Sequence, residues 1–137
     1  MQFIRYRTDG VGYWGVRQSN TVHSIAEAAI RSPSLQDLTN ESYRSHVQTL
    51  VDEDVLLTLP VEEVHLLAPV SEPGRIVCVG MNYRVQDEPI PEKPLLFGKA
   101  PTAVTHPGAP IRCPREIEEV DYEVELAYRY RPGSLLC

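Results

Sequence analysis

Apolar and polar side chains alternate weakly from Met1 to Arg7, and the two-residue period resumes from Tyr13 to Arg17. Between them, Thr8-Asp9-Gly10 and Gly12 supply the residues that accept positive φ, so the two runs are predicted to pair as a hairpin. Ser19-Asn20 marks a second turn, followed by a short strand at Thr21-Val22-His23. Ser24 is placed to cap a helix through Ile30, with Glu27 at the capping-box position, before Pro33 interrupts. Asn40 caps a better helix, in which Tyr43, Val47, Leu50 and Val51 fall at i, i+4, i+7 and i+8 and form one apolar stripe. The strands around Phe3, Tyr13 and Val16 are its expected partners. Val61 to Ala68 reads as a further strand, ended by Pro69.

Ser71-Glu72-Pro73-Gly74 reads as a boundary, because the pattern changes after it. Ile76 to Val79 is a compact, largely β-branched run, the mark of a strand buried on both faces, with Cys78 as a buried thiol. From Pro89 to Pro114 prolines recur at short intervals. Each removes a backbone donor and obstructs the preceding turn, so loops and short strands such as Leu95-Leu96-Phe97 are expected there. Val120 to Tyr130 alternates again and is predicted to be a strand. The pattern as a whole predicts an α+β, β-rich chain, with a small unit over residues 1–70 and a second, β-rich piece over 75–137.

Composition narrows the function classes. The chain has 137 residues, 19 acidic against 13 basic, and a net charge of -6, with no Lys/Arg cluster to offset it. A field of that sign repels phosphate backbones, so nucleic acid is not an expected partner. No apolar run approaches the roughly 20 residues of a spanning helix, and the N-terminus lacks the basic-then-apolar order of a signal peptide. A cytoplasmic location is the expectation, with no membrane partner. Cys78, Cys113 and Cys137 form no C-x-x-C pair and suit a reducing compartment.

Candidate chemistry lies in Asp121-Tyr122-Glu123-Val124-Glu125-Leu126. In a strand the three carboxylates share one face, about 6–7 Å apart. At an effective dielectric near 20 each ionised pair repels by roughly 2–3 kcal/mol, against about 0.6 kcal/mol in bulk water. A solvated face tolerates that repulsion. An enclosed one needs a retained proton or a hard divalent cation. The four histidines, His23, His46, His65 and His106, show no ligand spacing, and surface positions are expected for them.

Four blocks, in order, resemble the fumarylacetoacetate hydrolase family. Arg75-Ile76-Val77-Cys78-Val79-Gly80-Met81-Asn82-Tyr83 is similar to the "K-I-V-C-V-G-x-N-Y" opening of its catalytic domain. Glu92 to Ala103 resembles "E-x-P-x-x-F-x-K-x-x-x-A", His106 to Ile111 resembles "G-P-G-x-P-I" with one change, and Val120 to Ala127 matches "V-D-Y-E-x-E-L-A". Residues 1–70 look like the short N-terminal domain of bacterial and archaeal members, and residues 75–137 like the front of a mixed β-roll. The resemblance implies that Glu123 and Glu125 are metal ligands, for Mg²⁺ or else Ca²⁺ or Mn²⁺. It makes Lys99 a substrate-side cation and places Tyr83, with Asn82, at the site loop. It further implies homodimers and cleavage or isomerisation at a carbon–carbon bond beside a keto acid, with acylpyruvates or products of aromatic ring cleavage as substrates.

Three departures bear on activity, one of them that most of the family's catalytic core is absent, so the strands from Ile76 onward are expected to lack their sheet partners. The family loop reads "N-Y-x-x-H-x-x-E", whereas Asn82-Tyr83-Arg84 runs into Val85-Gln86-Asp87-Glu88-Pro89 without histidine, so the catalytic base is unassigned. After Leu126-Ala127 the family continues through "V-V-I-G" toward an Asp that completes the metal shell, whereas here Tyr128 to Cys137 follows. The expectation is weak metal binding and an inactive chain, fitting a truncated or frame-shifted reading frame.

Overall fold

The computed structural model describes residues 1–25, 32–70, 72–83 and 92–130. Strands β1 (Gln2–Thr8), β2 (Val11–Gln18) and β3 (Thr21–Ser24) form an antiparallel meander. The first turn pairs Thr8 with Val11, leaving Asp9 and Gly10 in the loop with φ of 49° and 78°. Both values are positive, as a two-residue primed turn requires. Ser19 opens the second turn at φ 51°.

Helix α1 (Glu41–Asp52) begins where Asn40 Oδ1 accepts the Tyr43 backbone N–H at 3.1 Å, the N-cap bond that satisfies one orphan donor. Its Val47 and Val51 are buried with Val16, Ile25 and Leu56, and Phe3, Trp14, Tyr43 and Leu50 pack around them. The expected stripe is therefore the buried one, and Phe3 and Val16 meet it as expected, but Trp14 stands in place of Tyr13 on β2. Tyr13, one position away, faces the other side of the sheet.

Two short strands complete this sheet. β4 (Thr58–Pro60) pairs with β3, and β5 (His65–Leu67) pairs with β1, giving the order β4-β3-β2-β1-β5. The strand expected over Val61 to Ala68 is thus limited to its last half, because Val61–Glu63 forms a 3-10 turn. On the face away from α1, Tyr6 is fully buried and its hydroxyl donates to Ser24 Oγ at 2.7 Å. The ring crosses β2 at Gly15, where an added Cβ would lie 2.9 Å from the His23 carbonyl oxygen and 3.1 Å from Tyr6 Cε1. Of the helix expected from Ser24 to Ile30, residues 26–30 lie outside the described residues, while Ser24 itself ends β3.

A second, two-stranded sheet pairs β6 (Ile76–Gly80) with β7 (Leu95–Lys99), Ile76 opposite Lys99 and Gly80 opposite Leu95. No residue of either strand is buried, Cys78 included. The β-branched run makes a strand as expected, but two strands alone cannot enclose it. A larger correction concerns Val120 to Tyr130. Residues 121–130 carry no regular secondary structure and are exposed throughout, since no neighbouring strand hydrogen-bonds to them. Among the described residues, no helix is long and apolar enough to cross a membrane. Fold class is as the pattern predicts: β-rich α+β, with one α-helix among the described residues and antiparallel sheets.

Candidate active site

Strand β6 ends in a backbone reversal. Met81 takes φ 54°, a left-handed conformation that costs an ordinary side chain free energy, and it turns the chain out of the strand into Asn82-Tyr83. Lys99 closes β7 at the opposite end of the hairpin, beside Ile76. Its ammonium lies 5.9 Å from the ring centroid of Phe97, which shares its face of β7, and 3.7 Å from Glu123 Oε2. Both partners of this ion pair are at least half exposed, so water screens it.

Glu125 reaches the other end of the hairpin. Its carboxylate accepts a hydrogen bond from the Tyr83 phenol, and its negative charge, the larger effect, raises the phenol's pKa above the ordinary value of 10.0. Two contacts, Glu123 with Lys99 and Glu125 with Tyr83, thus join residues 123–125 to the hairpin and the turn that follows β6. Tyr122, Val124 and Leu126 are open to solvent. The segment is unpaired and exposed throughout.

The four residues singled out by sequence, Tyr83, Lys99, Glu123 and Glu125, therefore meet in two pairs. Asp121 makes no described contact with them. Asp87 and Glu88, carboxylates on the loop where the resemblance expects a histidine, lie outside the described residues. Sequence reasoning missed His106 as a structural residue. It is half-buried, and its Nδ1 accepts the Ala68 backbone N–H at 3.2 Å. His23 is buried as well, contrary to the surface position expected of it. Both miss the surface because strand pairing and long-range contact, which no local pattern encodes, decide their burial.

Carboxylate oxygens are the donors that Mg²⁺, Ca²⁺ and Mn²⁺ take, so Glu123 and Glu125 suit such an ion in kind. They do not suffice in number. Each is already engaged by another side chain, and among the described residues no group of three or more His, Cys, Asp or Glu stands where it could hold an ion.

Comparison with known proteins places these residues in a family. Residues 75–130 match the profile described as fumarylacetoacetate (FAA) hydrolase, C-terminal, and residues 1–69 match Rv2993c-like, N-terminal. The chain belongs to the fumarylacetoacetate hydrolase family. Its relatives there include the mitochondrial oxaloacetate tautomerase FAHD2A of Bos taurus, 49% identical over 76 residues, which cover 53% of this chain and 24% of the relative. The mitochondrial oxaloacetate tautomerase fahd2 of Xenopus laevis is 44% identical over 69 residues, 47% of this chain and 22% of its own. A fumarylacetoacetate hydrolase domain-containing protein 2 homolog of Dictyostelium discoideum is 42% identical over 72 residues, 50% and 23% respectively. The chain thus spans about a quarter of the length of these curated relatives. Fumarylacetoacetate hydrolase family members act on small keto acids as hydrolases or isomerases and are generally metal-dependent.

Proposed function

We propose that these 137 residues carry the cation-and-phenol side of a keto-acid site, from a metal-dependent hydrolase or isomerase working at a carbon beside a 2-keto acid. Acylpyruvates, oxaloacetate and ring-cleavage products of aromatic compounds form the substrate class. The pairing of Lys99 with Glu123 and of Tyr83 with Glu125 carries this reading. Lys99 supplies a mobile positive charge for a substrate carboxylate. Tyr83, kept protonated by Glu125, supplies a hydrogen-bond donor for a carbonyl or enol oxygen. No step is assigned to a metal, because the described donors do not complete a site for one, and no base is assigned. On their own these residues bind a keto acid without turning it over.

Two measurements on the same sample test this. Titration with oxaloacetate, followed by NMR, is expected to shift signals at Lys99 and Tyr83, and Lys99→Ala is expected to abolish the shifts. Assays of acylpyruvate hydrolysis and oxaloacetate tautomerisation with Mg²⁺ are expected to match the Mg²⁺-only rate. Shifts that survive Lys99→Ala would overturn the assignment of that residue. Turnover above the background would overturn the inactivity. A second reading, a non-catalytic partner-binding piece, is favoured by the exposed Val77, Val79, Leu95, Leu96 and Phe97. It predicts no keto-acid response at Lys99 at all.

A further inference from the structure

Ala68 follows β5 and is buried at 4% exposure, and both of its backbone polar groups are held by side chains far away in sequence. Arg5 Nη1, from β1, donates to the Ala68 carbonyl at 3.1 Å. The Ala68 N–H donates to His106 Nδ1 at 3.2 Å. His106 comes from the proline-rich segment after β7, at the head of a turn in which its own carbonyl accepts the Ala109 N–H at 3.1 Å. Its ring also meets that of His65 edge-on, with centroids 6.0 Å apart. This is a side chain–backbone hydrogen bond between the five-stranded sheet and the segment that leads toward the carboxylates.

The direction of the bond fixes the chemistry. An imidazole nitrogen that accepts a backbone N–H must carry a lone pair, so His106 is the neutral tautomer with its proton on Nε2. Protonation puts a hydrogen on Nδ1 and turns the acceptor into a second donor facing the Ala68 N–H. It also brings a positive charge among like charges. Arg5 and Arg7 of β1, and His65 of β5 opposite Arg7, are the charged and titratable groups of the strands packed there, and neither strand contains a carboxylate. Of the acidic residues just before β5, Glu62 is taken by Asn20 at 2.7 Å and Glu63 is exposed.

We infer that His106 is a pH-sensitive clasp: neutral, it fastens the segment after β7 to the five-stranded sheet through Ala68, and protonated, it releases that segment. The sign follows from linkage. The clasped state requires the neutral ring, so the clasp is complete at high pH and protonation on acidification opposes it. Release leaves the sheet's own ladder intact, because β5 keeps its pairing with β1.

The test is amide hydrogen exchange at Ala68 in the full chain, measured by NMR between pH 8 and pH 5 and corrected for the intrinsic pH dependence of exchange. Protection is expected to fall by up to about tenfold across that range, the ratio that a hydrogen bond of ordinary net strength supports. His106→Asn, whose amide oxygen can replace Nδ1 as acceptor, is expected to keep protection at every pH. His106→Ala is expected to show the low value at every pH. Amides of Arg5 and Val16 report that each variant remains folded. PH-independent protection of Ala68 in the unaltered chain would overturn the proposal, as would full protection in His106→Ala.

Discussion

Gly15 sits where the Tyr6 ring passes over β2 to reach Ser24, and a methyl group there would press on the His23 carbonyl as well as on the ring. A backbone atom cannot swing aside as a side-chain tip can. Gly15→Ala is therefore expected to destabilise the chain by about 2 kcal/mol, the range of overpacked interiors, measured as a lowered urea midpoint. Tyr83 offers a second test at this scale. The Glu125 charge makes the phenolate costly, so Tyr83 is expected to ionise at higher pH than the other exposed tyrosines. Glu125→Gln should bring it back toward them in an NMR titration of the tyrosine rings. Because the folded-state pKa is raised, any stability the contact adds is complete below the ordinary tyrosine range and lost as pH rises through the raised value. Some residue roles were legible in the sequence. The alternation around Glu123 and Glu125, with the family blocks, singled out the residues that meet Lys99 and Tyr83. Gly15 and His106 gave no signal, since what they touch lies on other elements.

At the scale of elements, what could be read depended on how local the cause was. Asp9-Gly10 and Asn40 act within four residues of themselves, and the hairpin and helix stand where those residues predict them. Asn40→Ala removes the acceptor for the Tyr43 N–H and is expected to cost about 1 kcal/mol. Val47→Ala, in the core beneath the same helix, should cost more by leaving a void. Comparing the two midpoints in denaturant checks the order. Strands β4 and β5 have three residues each and owe their conformation to the edges they pair with; no pattern announced β4, and β5 is only the last half of the run read as a strand over Val61 to Ala68. Residues 121–130 show the reverse. Their alternation is real, yet a strand needs a ladder, and none of the described neighbours supplies one.

The whole molecule holds two sheets of unequal cover. α1 packs on the five-stranded sheet, whereas β6 and β7 expose Val77, Val79, Leu95, Leu96 and Phe97. A two-stranded sheet without a covered apolar face is marginal in water. Amides of Val77, Val79 and Leu96 are accordingly expected to exchange much faster than those of Tyr6 and Val16, and equal protection in both sheets would contradict this. The fold class was legible because it needs only the count and kind of elements. Cover was not legible in the run Ile76 to Val79 by itself, which reads as buried; the family resemblance gave the expectation that its sheet partners are missing, and the exposed Val77, Val79, Leu95, Leu96 and Phe97 agree with it. The position of β1 between β2 and β5 has a kinetic consequence. On one side it closes a tight hairpin, but on the other it must wait for partners such as Ala68, 63 positions from Arg5. Closing so long a loop carries an entropic cost that local contacts must offset first, so the meander is the natural nucleus and β5 docks late. Substitutions in the Asp9-Gly10 turn should then slow refolding, while Leu66→Ala in β5 should chiefly hasten unfolding. Stopped-flow folding and unfolding rates across a denaturant series would separate the two limbs. A nascent chain would accordingly sample its first hairpin, marginal until it is covered, long before the strand that locks β1 into the sheet has left the ribosome.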